Sequence, residues 1–305
     1  MRTSTTLATY AVGLVAVFGA ALGVGAAIGS PIDMSTTSHS THDAVPSTDA
    51  TTPAGLEVSS GGYTLGDVIA PERSGAAGTL SFRILDSHNQ PVVDFDALHE
   101  KKLHLIVVRS DTSEFRHVHP VLAADGTWSI DWTWPTAGTY RVFADFDPTD
   151  GTQLTLGRNI DVAGEFTPAP LPPVSTTASV DGYTVTRGGD LTTAGGPITL
   201  NVARDGVPVT DLDPYLGAYG HLVALRTGDL AYLHVHPEGE PGDGVTAAGP
   251  DISFHAQAPS EGTYRFFLDF QHEGIVRTAE FTVTTGIPAE TPAAPAAPEN
   301  HTGGH

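Results

Sequence analysis

The chain contains no cysteine among its 305 residues and only two methionines. The lack of cysteine excludes disulfides, thiolate zinc sites, iron–sulfur clusters and the blue-copper centre, all of which need a cysteine sulfur. A thioether site for Cu(I) is excluded as well, because the methionines are Met1 and Met34. Any metal ion held by this chain must therefore be bound through nitrogen and oxygen atoms.

Basic residues and enzyme motifs are also scarce. The chain has 14 Lys and Arg against 35 Asp and Glu, for a formal charge of −21. Such a chain repels nucleic acid and anionic lipid, so we do not expect binding to phosphate backbones as its main function. The sequence has no Gly-x-Ser-x-Gly elbow, phosphate-binding loop, dinucleotide fingerprint or His-Glu-x-x-His motif. We therefore predict that the protein is not an enzyme.

One long hydrophobic run occurs at the N-terminus. An uncharged apolar segment extends from Leu7 to Gly29, after Arg2. It is long enough to cross a bilayer, and it ends in small residues that a signal peptidase can cleave. Both interpretations export the rest of the chain. We expect a single membrane span with extracytoplasmic domains or, if residues 1–30 are a cleaved signal peptide, a secreted protein.

The phrase His-Val-His-Pro occurs twice, at residues 117–120 and 234–237. A third histidine precedes each copy at the same distance: His104 before the first and His221 before the second. Other short phrases recur in the same order, including Gly-Tyr-Thr near each start and Gly-Thr-Tyr-Arg near each end. The sequence therefore predicts a tandem duplication in which each copy carries three histidines.

The duplication and the composition define six segments. Ser, Thr and Pro dominate between the hydrophobic run and the first copy, and Pro and Ala dominate the end of the chain. Segments of this kind are flexible or stiff linkers rather than packed domains. We predict a signal peptide or anchor at 1–30, a disordered linker at 31–56, repeat 1 at 57–166, a Pro-rich hinge at 167–178, repeat 2 at 179–286 and a disordered tail at 287–305.

Each repeat is predicted to be all-β. Short runs rich in Val, Ile, Thr, Tyr, Phe and Trp alternate with Gly, Pro and Asp turns, at about 62–69, 79–86, 103–110, 116–122, 127–134, 139–146 and 154–162 in repeat 1. Seven strands in about 110 residues are typical of an immunoglobulin-like or cupredoxin-like β-sandwich. Tyr140 and Tyr264 fit the tyrosine corner of such folds. We expect Tyr140, Val142, Ala144 and Phe146 to face the core and Arg141, Phe143 and Asp145 to face away.

The spacing of the histidines predicts metal ligands. Residues i and i+2 of a strand point to the same side, so His117 with His119, and His234 with His236, can converge on one ion. His104 and His221 begin very apolar strands and are the predicted third ligands, with Asp145 and Asp269 as possible fourth ligands. His255 and His272 are further candidates in repeat 2. His99 has Leu216 as its counterpart and is predicted to lie on the surface.

Two other interpretations of these histidines remain open. A His-x-His strand can be a solvated face, and the same spacing in both copies can also serve a hydrogen-bonded cluster that fixes the fold.

A nitrogen and oxygen donor set without sulfur suits Cu(II) or Zn(II). Whether such sites lie within each repeat or between the two is not fixed by the spacing.

The sequence resembles a group of poorly characterised actinobacterial membrane-anchored or secreted proteins with duplicated HVHP modules, often labelled heavy-metal-associated. The resemblance is carried by residues 216–226, 232–237 and 264–270. It implies a role in metal handling. We expect an extracytoplasmic protein that buffers Cu(II) or Zn(II), or delivers it to a transporter or another envelope protein, with one His-rich site per repeat. The alternative is a cell-surface interaction or scaffold module whose histidines are structural or sense pH.

Overall fold

The computed structural model describes residues 52–233 and 235–286, with only the backbone of residue 236. All of these residues belong to one compact unit. The predicted N-terminal hydrophobic helix, most of the linker at 31–56 and the tail at 287–305 lie outside the described residues. No helix capable of spanning a bilayer occurs within the described part of the chain.

Repeat 1 consists of ten strands. They run as β1 (Ser59–Ser60), β2 (Tyr63–Leu65), β3 (Ala77–Leu85), β4 (Phe95–Asp96), β5 (Leu103–Arg109), β6 (Arg116–Val118), β7 (Val121–Leu122), β8 (Thr127–Thr133), β9 (Gly138–Pro148) and β10 (Leu154–Val162). One sheet has the order β1-β2-β3-β8-β7, and the other has the order β10-β9-β5-β6 with β4 added to β9.

Repeat 2 follows the same plan. Its strands are β11 (Thr177–Val180), β12 (Tyr183–Gly188), β13 (Gly196–Arg204), β14 (Val207–Pro208), β15 (His221–Arg226), β16 (Tyr232–Leu233), β17 (Val235–Pro237), β18 (Asp251–Ala256), β19 (Thr263–His272) and β20 (Ile275–Thr284). One sheet has the order β11-β12-β13-β18-β17 with β14 added to β13, and the other has the order β16-β15-β19-β20. The predicted fold of two tandem immunoglobulin-like β-sandwiches is confirmed.

Each repeat has its own hydrophobic core between its two sheets. In repeat 1 the core includes the three tryptophans and the inward residues of β5 and β9, and in repeat 2 it includes Tyr183, Phe254 and the inward residues of β19. The predicted faces of β9 are confirmed, because Tyr140, Val142, Ala144 and Phe146 all lie in the core of repeat 1.

A third hydrophobic cluster joins the two repeats. It contains residues from the outward faces of β5 and β9 together with residues from β15, β16 and β19. Phe115 packs against this cluster, and its ring stacks on that of Phe267 with centroids 3.9 Å apart and planes within 5° of parallel. The apolar strands β5 and β15 are therefore buried on both faces: one face packs inside its own sandwich and the other packs between the repeats. The members of this cluster are Ile106, Val108, Phe115, Phe143, Val223, Leu225, Leu230, Tyr232 and Phe267.

Both repeats contain the predicted tyrosine corner. The Tyr140 hydroxyl donates to the carbonyl of Thr136 at 2.9 Å, and the Tyr264 hydroxyl donates to the carbonyl of Ser260 at 2.8 Å. These bonds connect the start of β9 and β19 to the preceding turn, which is the position that the tyrosine occupies in immunoglobulin-like sandwiches. The tyrosine-corner prediction is confirmed in both copies.

The segment between the repeats is attached to repeat 1 at its beginning. The side chain of Arg109 donates to the carbonyl of Thr167, and Asp111 accepts from the amide of Ala169 at 2.8 Å. Arg109 and Asp111 are themselves bonded to each other through two contacts, at 3.0 and 2.8 Å. The boundaries given above for the linkers and repeats stay predictions.

Candidate metal centre

The strand period places one histidine of each repeat at the interface between the sandwiches. In β5, Leu103 and Leu105 pack in the core of repeat 1, so His104 between them lies on the opposite face. In β15, Leu222 packs in the core of repeat 2 and His221 precedes it. Both histidines are at least nine-tenths buried. The interface that the hydrophobic cluster forms therefore also contains the candidate ligands.

The register of β6 against β5 brings the other two histidines of repeat 1 to the same place. Leu105 pairs with Val118 in this antiparallel ladder. Continuing the ladder by one residue brings His104 opposite His119. Val118 packs against the core of repeat 1, which leaves His117 and His119 on the interface side.

The three side chains of repeat 1 form a compact nitrogen cluster. Nδ1 of His104 lies 2.9 Å from Nε2 of His117 and 3.1 Å from Nε2 of His119. One nitrogen from each of the three rings lies within 4.8 Å of the others. These three histidines are the ones that the sequence grouped, and their geometry is that of a possible metal-binding triad.

Hydrogen bonds hold two of the three rings in defined orientations. Nε2–H of His104 donates to the carbonyl of Leu98 at 2.8 Å, and Nδ1–H of His117 donates to Oδ2 of Asp269 at 2.8 Å. The second bond crosses from repeat 1 to repeat 2. Histidine ligands of metals regularly make such a bond from the ring nitrogen that does not face the ion, to a carbonyl or a carboxylate.

These bonds determine which nitrogens carry lone pairs. A carbonyl and a carboxylate only accept, so in neutral rings the single proton of His104 lies on Nε2 and that of His117 lies on Nδ1. The two remaining nitrogens, which are 2.9 Å apart, then both present lone pairs to each other. Two lone pairs at this distance repel unless a cation binds them or a proton lies between them.

The two distances from His104 match the edges of a metal coordination shell. Nitrogen ligands about 2.0–2.1 Å from Zn(II), at angles between square and tetrahedral, are about 2.9–3.4 Å apart. The distances of 2.9 and 3.1 Å from His104 fall in this range. The competing arrangement is an imidazolium: a second proton on His117, next to the buried carboxylate of Asp269, would donate from Nε2 to His104.

Repeat 2 reproduces part of this arrangement. Nε2–H of His221 donates to the carbonyl of Leu216 at 3.0 Å, as His104 does to Leu98. The two strand histidines also face equivalent aspartates across their ladders: His104 pairs with Asp145, and His221 pairs with Asp269. Each aspartate accepts from a threonine on the neighbouring edge strand, Thr155 in repeat 1 and Thr278 in repeat 2.

A small cavity lies beside the triad. Its volume is about 30 Å³, and both repeats contribute to its wall. Polar groups dominate the lining, and a few apolar side chains complete it. The lining residues are His99, His104, His117, Asp145, His221, Leu222, Val223, Tyr232 and Val235.

The buried position alters the protonation of the cluster. Burial lowers the pKa of His104 to about 2, and the neighbouring His117 contributes to this shift. Burial, followed by His117, lowers the pKa of His119 to about 3, and burial, followed by His99, lowers the pKa of His221 to about 4. Burial raises the pKa of Asp145 to about 6, although Thr155 and Gln153 donate to its carboxylate. The imidazoles of His104, His119 and His221 are therefore neutral at physiological pH, and the neutral form is the one that binds metal ions.

The predicted aspartates lie at the site but in different surroundings. Asp269 contacts His117 directly, whereas the hydrogen bonds to Asp145 come from Thr155 and Gln153. Asp269 therefore orients a histidine of the triad. Asp145 lines the cavity.

The remaining predicted histidines are distributed differently. His234 lies outside the described residues, and of His236 only the backbone is described, paired with His255 in the β17–β18 ladder. His255 is exposed. His272 bonds to the Tyr183 hydroxyl at 2.6 Å and to Asp211 at 3.2 Å.

The prediction of a surface position for His99 misses its role in the cavity wall. Its ring is half-buried and lies 5.0 Å from that of His221 and 6.1 Å from that of His104, measured between centroids. No signal in the sequence indicates this, because its counterpart in repeat 2 is Leu216. The cavity also includes Tyr232, which the sequence pattern did not single out.

Similar solved structures have low similarity scores. A crystal structure of invasin, a bacterial integrin-binding protein, is 16% identical, with a TM-score of 0.21, covering 73% of this chain and 38% of that one. Two fibronectin type III domains of chicken tenascin are 11% identical, with a TM-score of 0.22, covering 72% and 99%. Native E. coli alpha-2-macroglobulin is 13% identical, with a TM-score of 0.24, covering 77% and 15%. Values this low carry no argument about function, and this chain spans less than two fifths of the invasin structure.

Sequence comparisons identify the repeats. No curated protein matches the chain significantly. The model of one family matches residues 59–164 and again residues 178–286, which together make up well over half of the chain. These two matches correspond to the two sandwiches, so the duplication inferred from the histidine phrases is a duplication of one domain. The chain belongs to the family described as domain of unknown function DUF8832 and contains that domain twice.

Proposed function

We propose that this protein binds one divalent transition-metal ion, Cu(II) or Zn(II), between its two sandwiches. The observation that carries the proposal is the convergence of one ring nitrogen each from His104, His117 and His119 within 4.8 Å. The two nitrogen–nitrogen distances from His104 match a nitrogen coordination shell, and the orienting bonds leave the lone pairs of His104 and His117 directed at each other. A cation in the centre relieves this repulsion.

The proposed site depends on both repeats. Repeat 1 supplies the three nitrogens, and repeat 2 supplies Asp269, which holds the ring of His117. The sequence predicted one set of ligands per repeat. The arrangement of the described residues favours a single site at the interface. In this site Asp145 and His221 lie near the same ion and do not belong to a second, separate metal site.

The proposed role is extracytoplasmic metal buffering or delivery. The apolar run at residues 7–29 supports export and attachment to the cell membrane, or secretion after cleavage. The acidic chain, with a formal charge of −21, attracts cations toward the surface. For delivery, the proposed partner is a metal transporter or another envelope protein.

A second candidate function is a cell-surface interaction or scaffold module. The observation that favours it is the hydrogen bond between His117 and Asp269, since a protonated His117 would satisfy the whole cluster without a metal. The side chains of this pair are 3% and 4% exposed, so a charged pair here would join the repeats as a buried ion pair. In that case the histidines fix the relative position of two rigid sandwiches.

Metal content distinguishes the two functions. The untagged full chain is loaded with Cu(II) or Zn(II), dialysed against a weak chelator and analysed by elemental mass spectrometry. We expect one tightly held ion per chain. The variant His117→Ala/His119→Ala should lose it, because only one of the three nitrogens remains.

A matched variant controls for loose binding by exposed histidines. His88→Ala/His255→Ala removes two imidazoles from exposed positions and should retain the ion. Equal metal content in the wild type and in both variants would contradict the metal proposal. The scaffold function, with His117 as an imidazolium, would then be the better account of the cluster.

A further inference from the structure

Two of the three triad histidines line the cavity beside the triad. His104 and His117 contribute to the cavity wall as well as to the nitrogen cluster. The third member, His119, does not line the cavity. An ion held by the triad therefore has the cavity on the side of His104 and His117.

The cavity has the size and polarity of a site for one small molecule. Its volume of about 30 Å³ is above the roughly 10–15 Å³ that a cavity needs to hold a water. Asp145 and His221, which are 5% and 8% exposed, supply buried polar groups to the wall. A polar cavity of this size holds a water that bonds to two to four groups, whereas an apolar one stays dry.

The donor count leaves room for a further ligand. Among the residues that the structure describes, three supply a nitrogen to the cluster. Zinc in catalytic sites with three protein ligands takes its fourth ligand from solvent or substrate, and Cu(II) in tetragonal sites takes at least four ligands. The side of the ion that faces the cavity is the position for this ligand.

We propose that the ion keeps one coordination position open to this cavity, where it binds a single small exogenous ligand, either water or a small anion. This inference rests on the proposed metal site and adds a second binding function to it. Leu222 and Val223 complete the wall and limit the size of the ligand. Asp145 and His221 provide hydrogen-bonding partners for it.

Two valines provide a matched pair for testing the cavity. Val223 and Val108 both belong to the hydrophobic cluster between the repeats, and both are buried. Val223 lines the cavity and Val108 does not. Isoleucine adds one methylene in either position, so Val223→Ile fills the cavity and Val108→Ile makes the same chemical change elsewhere in the interface.

The probe is azide, titrated into the Cu(II)-loaded full chain and followed by its charge-transfer absorption. In the wild type we expect a saturable band corresponding to one azide per copper. Val223→Ile should retain copper and bind azide at least about tenfold more weakly, which corresponds to about 1.4 kcal/mol, because the added methylene overpacks the cavity. Val108→Ile should bind both as the wild type does.

The outcomes separate this inference from the metal site itself. A chain that binds no copper at the triad contradicts the proposed function. If the chain binds copper but gives no azide band, the proposed open position is wrong and the metal site stands. The same conclusion follows if the two isoleucine variants bind azide equally well. If Val223→Ile does not fold, the wild type still decides: azide should bind to the copper, and imidazole, which is bulkier than azide, should bind far more weakly. Equal binding of the two would overturn the proposal.

Discussion

At the scale of single residues, the orientation of the imidazoles is what makes the cluster chemically distinctive. A strand histidine in each repeat donates to the carbonyl of a preceding loop, His104 to Leu98 and His221 to Leu216. The ring is then held in one tautomer, with the lone pair on Nδ1. A solvated His-x-His face, which the sequence left open, has no such constraint.

Asp269 should control the affinity for metal although it supplies no ligand to the triad. In Asp269→Asn the charge that orients His117 and stabilises its ring is lost, so we expect the Kd for Zn(II) to rise about 10–100-fold. Isothermal titration of the full chain measures this. Asp161→Asn, which alters an exposed carboxylate bonded to Thr139, is the control and should leave the Kd unchanged. An unchanged Kd in Asp269→Asn would show that His117 does not ligate.

Asp111 should stabilise the protein in a pH-dependent way. Burial raises its pKa, but hydrogen bonds from Arg109 and Ser113 outweigh burial and lower the pKa to about 2, from 3.8. The stabilisation is therefore fully present above pH 3.8 and is lost as the pH falls towards 2. We expect Asp111→Asn to lower the free energy of unfolding by about 3 kcal/mol at pH 7, because it leaves the guanidinium of Arg109 without its charged partner.

Urea denaturation of the wild type and of Asp111→Asn between pH 7 and pH 2 measures this effect. The difference in the free energy of unfolding should shrink below pH 3.8. Asp125→Asn, in which the lost partner of Arg83 is an exposed carboxylate, should not show a comparable loss at pH 7. A difference for Asp111→Asn that is constant with pH would contradict the assignment.

At the scale of elements, the central strands β5 and β15 connect packing to the site. Their alternate residues face the core of one sandwich and the interface between the two, so all seven residues of β5 are buried. His104 is the second residue of β5 and His221 is the first of β15, and they share a face with Ile106 and Val223, which pack between the repeats. The packing of the apolar interface therefore sets the positions of the repeat 1 histidines relative to Asp269 of repeat 2.

Phe267→Ala tests this dependence. The side chain is buried and stacks on Phe115 across the interface, so we expect a loss of about 3–5 kcal/mol in the free energy of unfolding. The Kd for Zn(II) of the folded variant should also rise, because the cross-repeat bond from His117 to Asp269 is no longer supported.

Phe281→Ala is the matched control, since Phe281 is equally buried but lies in the core of repeat 2. It should lower the stability by a similar amount and leave the Kd of the folded protein close to that of the wild type. Urea denaturation and zinc titration of both variants provide the comparison. A similar Kd for Zn(II) in the two variants would show that packing at the interface does not affect the affinity of the metal site.

At the scale of the whole molecule, the site belongs to the pair of domains rather than to either one. The triad comes from repeat 1, the orienting carboxylate comes from repeat 2, and the cavity is lined by both. An ion that requires both repeats to be folded and packed stabilises them together.

Thermal unfolding with and without Zn(II) should show this coupling. The three tryptophans, at positions 128, 132 and 134, report on repeat 1 alone, whereas circular dichroism reports on both repeats. At a zinc concentration of about 100 times the Kd, binding adds about 2.7 kcal/mol to the stability, and both signals should shift together. The variant His117→Ala/His119→Ala should show no shift. A shift in the tryptophan signal alone would indicate a site confined to repeat 1.

The sequence alone determined the features that depend on local patterns. Strand alternation places Tyr140 in the core and Phe143 outside it, and the repeated phrases identify two copies of one domain. The pairing of His117 with His119, and the position of His104 on a central strand, also follow from spacing and hydrophobicity. These features can be predicted from the sequence because successive side chains of a strand point to alternate faces, so their directions follow from position in the chain.

What lies opposite the histidines depends on how the two sandwiches pack, which strand patterns do not predict. The bond from His117 to Asp269 joins residues 152 positions apart, and it exists because the outward faces of two sandwiches pack together. The same packing brings His99 and Tyr232 to one cavity, although neither belongs to the repeated histidine pattern. The spacing within one repeat contains no information about which face of the other repeat it meets, because that choice depends on the apolar area that the whole interface buries.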